Sequence, residues 1–399
     1  MFQPFLYKLY YSDKALYDSE YAFRFNQDNT VHVNISINGN PCFIYPDYSI
    51  YEKIIDIYNI DSEIKLMCSR LPELAIKQFQ EHCLIGEIYQ SNNIEGVSST
   101  RKEISEVLQE VKALKKERNL YGIVSQYNAL SNNLHDNIRT CQNVRDIYDK
   151  LFLFDIQHSD PSNLPDGEIF RRSHVSVVSE IQKEIHKGVY PESEIITAMN
   201  NALTLLNDEN VNALIRIAAF HYLFGYIHPF YDGNGRMSRY ISSSMLMQEL
   251  NHLIGFRISY TIKENLSRYY KLFKNCNDPK NRGDVSPFVK YFVDMIYDAE
   301  ESLLEELTVR YDRMIYYNSI VERTITDQKM KGLYLMLIQS TLFAHNGVST
   351  KDLEKVFDVK YMTVRNRLMQ IKDNVLIKSS IGREIYYKLD LAEFDRLSE

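Results

Sequence analysis

Through most of the chain, apolar residues recur every three or four positions, a spacing that predicts amphipathic helices. The pattern holds from about 61 to 158 and is clearest at Ile104, Val107, Leu108 and Val111. Further helices are predicted at about 193–207, 211–227, 235–250 and from there to about 323. We therefore expect a mainly α protein built around a helical bundle.

Two shorter segments alternate with a period of two instead. Every second residue of 31–37 is apolar, and Asn38-Gly39 follows directly, which predicts a β-hairpin with 41–45 as its return strand. The segment 1–60 is therefore expected to be partly β. A second short hairpin, or flap, is predicted between Ile169 and Ile185, within a stretch punctuated by Pro and Gly.

The last seventy residues show a different order of elements. Three helices at 331–344, 349–356 and 361–372 precede two short strands at 375–377 and 385–389, which flank the turn Ile381-Gly382-Arg383. This order is typical of a winged helix-turn-helix. We expect an N-terminal segment with the first hairpin at 1–80, a helical core at 81–305, a linker helix at 306–324 and a winged helix-like domain at 325–399.

Composition limits the classes of function. The formal net charge of −7 argues against a protein that binds nucleic acid or membranes over its whole surface. The five cysteines are widely spaced and form no C-x-x-C pair, which favours reduced thiols in a cytoplasm over a zinc or disulfide framework. No run of 18 apolar residues occurs, so we expect no membrane span. Residues 349–388 differ, since they hold nine Lys or Arg and five Asp or Glu.

The candidate chemistry lies in the segment 228–239, His-Pro-Phe-Tyr-Asp-Gly-Asn-Gly-Arg-Met-Ser-Arg. Pro229 disfavours helical geometry at His228, so the imidazole is expected at the end of a helix rather than on its face. Gly233 and Gly235 allow a sharp turn on either side of Asn234. The free amides of these three residues would then form an anion site at the N-terminus of the next helix.

Charged residues surround this expected anion site. Arg236 and Arg239 lie three positions apart and so share one face of the helix. Cations at a helix N-terminus oppose the dipole, a conflict that a bound polyphosphate would remove. Asp232 adds a hard oxygen ligand of the kind that Mg²⁺ prefers beside phosphates. A tight helix–helix turn with surface arginines is the alternative that composition alone leaves open.

The same segment resembles the Fic motif, H-P-F-x-[DE]-G-N-G-R-x-x-R, at every defined position. A broader resemblance covers about residues 80–305. It implies a protein adenylyltransferase that uses ATP and Mg²⁺ and moves AMP to a Ser, Thr or Tyr hydroxyl of a protein. His228 would be the general base, Asp232 the metal ligand, and the loop and arginines would bind the phosphates at Gly233, Asn234, Gly235, Arg236 and Arg239.

Ser91-Asn-Asn-Ile-Glu-Gly96 closes a predicted helix upstream. A carboxylate in the last helical turn meets the negative end of the dipole, so Glu95 is expected to have a cation partner. The segment resembles the Fic inhibitory motif, [ST]-x-x-x-E-[GN]. The resemblance implies that Glu95 pairs with Arg239 and obstructs the γ-phosphate, with Ser91 holding it in place.

The resemblance also implies a nucleobase pocket and a docking element. Tyr269, Tyr270 and Asn281 resemble the adenine side of the family, although Asn275 or Asn277 also fit and the tyrosines also suit a core. The flap, Arg171 to Pro191, would pair with the backbone of the target protein as an added strand. Self-modification and a homodimer are further expectations.

Three other readings remain open from sequence. The C-terminal domain favours a DNA-binding regulator, with a recognition helix that carries Lys360, Tyr361, Thr363, Arg365, Asn366 and Arg367. A Fic-fold enzyme can use another donor, transferring UMP, phosphate or phosphocholine, or can remove AMP. A non-catalytic scaffold with a residual nucleotide site is the third reading, against which the complete motif argues.

Overall fold

The computed structural model describes residues 5–113, 118–178, 184–382 and 384–398. It confirms the mainly helical architecture. The helices are α1 Leu6–Ser12, α2 Lys14–Phe25, α3 Tyr48–Ser69, α4 Glu73–Ile94, α5 Arg101–Lys112, α6 Tyr121–Ser131, α7 Cys141–Ser159, α8 Glu192–Leu206, α9 Ala213–Ile227, α10 Asn234–Glu249, α11 Ile258–Glu264, α12 Leu266–Cys276, α13 Ser286–Thr324, α14 Gln328–Phe343, α15 Thr350–Phe357, α16 Tyr361–Leu368 and α17 Leu391–Ser398.

The strands form three small antiparallel sheets, β1–β2, β3–β4 and β5–β7–β6. Their bounds are β1 Val31–Ile37, β2 Asn40–Ile44, β3 Ser176–Val178, β4 Glu184–Lys187, β5 Val348–Ser349, β6 Leu376–Ile381 and β7 Glu384–Leu389. Both hairpins are thus where the sequence predicts them. Residues 179–183, between the two strands of the flap, and Arg383 of the C-terminal turn lie outside the described residues.

The N-terminal segment contains more helix than its pattern predicts. The hairpin β1–β2 turns at Asn38-Gly39, both with positive φ, as expected. Helices α1 and α2 precede it, and α2 buries the whole side chain of Arg24. The Arg24 guanidinium pairs with the equally buried Asp284 carboxylate at 2.8 Å. This ion pair fastens the N-terminal helices to the turn before α13.

The core of the molecule is the pair of helices α9 and α10. Almost every side chain of α9 is buried, including residues on all of its faces, so this helix is surrounded by other elements. Helices α8, α10 and α13 pack against it. The loop 228–233 joins α9 to α10 and therefore lies at one end of the most buried part of the protein.

Helix α13 connects the core to the C-terminal region. It runs without interruption over 39 residues, so the predicted linker helix 306–324 is its second half. Beyond it, α14, α15, α16 and the hairpin β6–β7 follow in the order of a winged helix-turn-helix. Helix α14 also packs on α4, where Gln78 Nε2 donates to Ser340 Oγ at 2.9 Å. Within the described ranges, no helix combines the length and apolar character needed to cross a bilayer.

Candidate active site

His228 ends helix α9 in a left-handed conformation, with φ 54° and ψ 61°. Its N–H still donates to Phe224 O at 2.9 Å, so the helix closes at this residue. Pro229 excludes a helical continuation, as the sequence predicts. The half-buried imidazole therefore stands at the terminus of a rigid, buried helix.

The loop after His228 is held by its own side chains. Asn234 Oδ1 accepts from Phe230 N at 3.0 Å, and Asn234 Nδ2 donates to Phe230 O at 2.8 Å. The Phe230 ring stacks on Tyr148 of α7, whose hydroxyl donates to Asp232 O at 3.0 Å. Gly233 supplies the positive φ of 80° that starts α10. The Asn234 side chain thus serves the loop, and only its backbone N–H is left for a phosphate.

Asp232 lies at the mouth of this loop with its side chain 49% exposed. Its carboxylate accepts from Gly233 N at 2.6 Å and pairs with Arg236 Nη2 at 3.1 Å. Among the described residues, no group of three His, Cys, Asp or Glu is arranged to hold a metal. A single half-exposed carboxylate fits Mg²⁺, which keeps several waters and binds largely through substrate phosphates.

Both motif arginines are buried. Arg236 lies with its guanidinium 4.8 Å from the Phe152 ring centroid, and its Nε is buried without a hydrogen-bond partner. Arg239 is 1% exposed and reaches towards α4. Burial lowers the pKa of Arg239, but the Glu95 carboxylate together with Tyr269 and Tyr270 outweighs burial, so the pKa is raised.

The end of α4 meets Arg239 as the inhibitory motif implies. Arg239 Nη1 pairs with Glu95 Oε1 at 2.8 Å. Its Nε donates to Ser91 Oγ at 3.0 Å and its Nη2 to Ser91 O at 2.9 Å, and Ser91 is fully buried. A Cβ placed on Gly235 would lie 2.1 Å from Glu95 Oε1, so this carboxylate covers the start of α10. Gly96 then ends α4 with φ 71°.

The pKa of His228 is lower than the near-neutral value expected for a general base. Burial lowers the pKa of His228 to about 4. A hydrogen bond to the Gly225 backbone opposes this effect, while the charge of Arg171 adds to it. The imidazole is therefore neutral at physiological pH, and nearby phosphate charges would raise its pKa.

The three residues of the expected nucleobase pocket differ in environment. Tyr269 is buried, and its hydroxyl lies 2.7 Å from His221 Nε2. Tyr270 is 43% exposed. Asn281 is fully buried, and its amide donates to Asp284 O at 2.6 Å. Asn277, one of the alternatives, is also largely buried and accepts from the Tyr222 hydroxyl. The adenine side therefore stays a prediction, with Tyr270 as its most accessible member.

Sequence reasoning missed several residues that shape the site. Tyr148 and Phe152 of α7 form the aromatic wall beside Phe230 and Arg236. Arg171 is fully buried and donates to the carbonyl of His228 at 2.9 Å. A spacing of four on α7 was the only available signal for the aromatic pair. None existed for Arg171, because its partners are backbone atoms.

Together these elements define a mainly helical protein in which one loop between two central helices carries a histidine, a carboxylate and two buried arginines. Residues 139–246 match the model of the Fic/DOC family, a range that includes α9, this loop and most of α10.

Two curated relatives are named as protein adenylyltransferases. The chain is 26% identical over 229 residues to protein adenylyltransferase Fic of Drosophila erecta, and 26% identical over 232 residues to the protein of the same name from Aedes aegypti. Each alignment covers 55% of this chain and 42% of the relative. The matched region is thus less than half the length of these relatives.

A solved structure agrees on the fold. The Fic family protein from Desulfovibrio desulfuricans G20 superposes with a TM-score of 0.51 at 19% sequence identity. The match covers 86% of this chain and 96% of that one. It therefore extends well beyond residues 139–246.

Proposed function

We propose that this chain is a protein adenylyltransferase, which transfers AMP from ATP to a Ser, Thr or Tyr hydroxyl of a target protein. The observation that carries the proposal is the loop 228–239, which places His228, Asp232, Arg236 and Arg239 around the N-terminus of α10. The name of the curated relatives supports the same activity.

The reaction is an in-line displacement at phosphorus. His228 takes the proton of the target hydroxyl, and the freed oxygen bonds to the α-phosphorus of ATP. The bond from this phosphorus to the bridging oxygen breaks, and pyrophosphate leaves. The product is a phosphodiester between AMP and the protein. A neutral imidazole, which the low pKa of His228 ensures, is the form that accepts the proton.

The remaining loop residues bind and orient the triphosphate. The backbone amides of Asn234 and Gly235 and the dipole of α10 favour the negative oxygens, while Arg236 and Arg239 bind the β- and γ-phosphates. Mg²⁺ beside Asp232 would neutralise phosphate charge. Positioning and electrostatic stabilisation supply most of the catalysis in such reactions.

Glu95 is proposed to hold the enzyme in check. Its carboxylate occupies Arg239, so the γ-phosphate must displace it in order to bind there.

Self-modification and a homodimer remain part of the proposal, as does a cytoplasmic site of action. Five free cysteines support the last of these, since an oxidising compartment would favour pairing.

The choice of donor is tested with Glu95→Gly protein, Mg²⁺ and ATP that carries its label on either the α- or the γ-phosphate. We expect covalent label on the protein itself or on proteins of an added lysate only from α-labelled ATP, and none after Mg²⁺ is chelated. Label from the γ-position would indicate phosphate transfer instead. Label from α-labelled UTP alone would indicate UMP transfer.

A second function, DNA binding, is favoured by the surface of α16. Val364 and Leu368 face the interior, whereas Tyr361, Arg365 and Asn366 are exposed. From Lys360 to Lys372 the chain has four Lys or Arg and no Asp or Glu. We propose that this helix enters the major groove of duplex DNA.

The protein is expected to retard a labelled duplex at low salt and to lose this binding steeply as salt rises. Replacing Lys360 and Arg365 by Gln together should weaken binding by roughly tenfold or more. The double variant Arg323→Gln, Lys329→Gln removes the same charge from the exposed junction of α13 and α14 and should bind like wild type. No retardation at low salt, or equal losses in both variants, would refute the role of α16.

A further inference from the structure

Arg171 joins three separate backbone segments around the proposed base. Its guanidinium is fully buried and donates to three carbonyls, Ser173 O at 2.6 Å, Val189 O at 2.8 Å and His228 O at 2.9 Å. Its backbone N–H also donates to Pro229 O at 3.3 Å. One side chain thus connects the two ends of the flap to the residue that closes α9.

Burying the Arg171 cation costs solvation free energy. The groups that it contacts therefore indicate which part of the backbone it stabilises. No carboxylate of the described residues pairs with Arg171, and burial lowers the pKa of its guanidinium. Within the described residues, carbonyl dipoles therefore provide its hydrogen-bonded counterpart. The carbonyl of His228 belongs to a helix end in left-handed conformation and has no helical partner of its own. Arg171 satisfies this carbonyl and thereby fixes the backbone that carries the imidazole.

The base of the flap is tied to the same point. Val189 N donates to Ile227 O at 3.1 Å, and Gly188 N donates to Val175 O at 3.0 Å. Gly188 lies so close that an added Cβ would be 2.4 Å from Arg171 Nη2 and 3.1 Å from His228 Cβ. The flap base therefore cannot shift against His228 without displacing the Arg171 guanidinium.

We infer that Arg171 is a positioning residue for AMP transfer, which holds the imidazole of His228 in register with the base of the flap. The inference rests on the proposed function and on the expectation that the flap pairs with the backbone of the target protein. In this role Arg171 sets the distance and orientation between His228 and the acceptor hydroxyl of the target. Phosphate binding, which belongs to α10, does not depend on it.

This role predicts a separation between turnover and nucleotide affinity. Small misplacements of a reacting group reduce rates strongly, up to about a hundredfold for a shift near 1 Å. Loss of Arg171 should therefore lower turnover while the dissociation constant for ATP stays within about twofold, since the phosphate contacts are made elsewhere.

The pH–rate profile is a second measurement of this role, because the charge of Arg171 affects the pKa of His228. The charged or titratable groups that face His228 are Arg171, His186 of β4 and Glu95 of α4. Arg171 lowers the pKa of His228, so a neutral replacement should raise it and move the acidic limb of the pH–rate profile to higher pH. A replacement that keeps the charge should leave this limb in place.

The experiment compares Arg171→Lys and Arg171→Gln, both in the Glu95→Gly background, with Arg139→Gln, an exposed arginine outside the flap and the loop 228–239, as control. Turnover is measured by labelling from α-labelled ATP, ATP affinity by calorimetry, and folding by thermal unfolding. We expect turnover to fall at least roughly tenfold in Arg171→Gln and less in Arg171→Lys. The acidic limb should shift only in Arg171→Gln, and Arg139→Gln should match the parent.

Folded Arg171→Gln protein with the turnover of the parent overturns the inference. So does a loss of turnover that is matched by an equal loss of ATP affinity without a shifted pH profile, which general loosening of the fold would produce. If Arg171→Gln fails to fold, the ratio of turnover to ATP affinity in Arg171→Lys decides by the same criteria. Absence of any transfer by the Glu95→Gly parent would instead refute the proposed function.

Discussion

Replacing Glu95 with glycine is expected to raise AMP transfer between roughly tenfold and a hundredfold. In the present structure Arg239 is bound by the Glu95 carboxylate and twice by Ser91, and it is almost wholly buried. A hydrogen bond to a charged group contributes about 1.5–3 kcal/mol, which corresponds to this range of rates. Without the carboxylate, the γ-phosphate would reach Arg239 without displacing a partner.

Substitutions that separate charge from shape make this prediction specific. Glu95→Gln keeps the size of the side chain and a weaker acceptor for Arg239, so its activation should be smaller than that of Glu95→Gly. Glu73→Gly, at the exposed start of the same helix, removes a carboxylate far from Arg239 and should leave transfer at the wild-type rate. The measurement is labelling from α-labelled ATP, with ATP affinity determined in parallel. Unchanged transfer by Glu95→Gly protein that binds ATP would show that Glu95 is no brake.

How much of the fold could be predicted depended on the kind of pattern each segment carries. The bounds predicted for α8, α9 and α10 agree with the structure within a few residues, because α8 and α10 have apolar positions at a helical period and α9 is an almost continuous apolar run. Helices α1 and α2 were missed. Half of their large apolar and aromatic side chains are tyrosines, such as Tyr10, Tyr11 and Tyr21, which suit strands, helices and surfaces alike.

Those parts of the candidate site whose residues are close together in the sequence could be predicted from it. His228, Asp232, Arg236 and Arg239 occur within twelve residues, so the loop was recognisable as a unit. The pairing of Glu95 with Arg239 came from a resemblance, and the structure brings the two groups together. No motif could reveal Arg171, because a guanidinium that binds three carbonyls leaves no complementary residue in the sequence. The low pKa of His228 likewise arises from burial that only the fold creates.

The pH dependence of transfer should reflect this burial. A histidine whose pKa is about 4 stays neutral down to acidic pH, so the rate of Glu95→Gly protein should remain level from neutrality to about pH 5 or 6. Below this range protonation removes the base and the rate falls. Bound phosphates shift this limb upwards, because they favour the imidazolium.

Replacing His228 in the Glu95→Gly background should abolish this transfer while ATP still binds. General bases contribute roughly a hundredfold to ten-thousandfold, so labelling should fall at least by the lower factor. His228→Asn is the sharper variant, because Asn tolerates the left-handed backbone at this position better than Ala and isolates the loss of the base from strain. His158→Asn, at an exposed histidine in the last turn of α7, is the matched control and should transfer AMP like the parent.

The proposal that His228 is the base and the proposal that the protein transfers AMP are refuted by different results. Persistent transfer by folded His228→Asn protein would refute His228 as the base and leave AMP transfer itself intact, since another group or the ATP phosphates would then accept the proton. Loss of ATP binding together with transfer would place His228 among the groups that hold the nucleotide, against our proposal that the phosphates bind at the N-terminus of α10. Retained binding with lost labelling is the outcome that a histidine fixed at the end of α9 predicts.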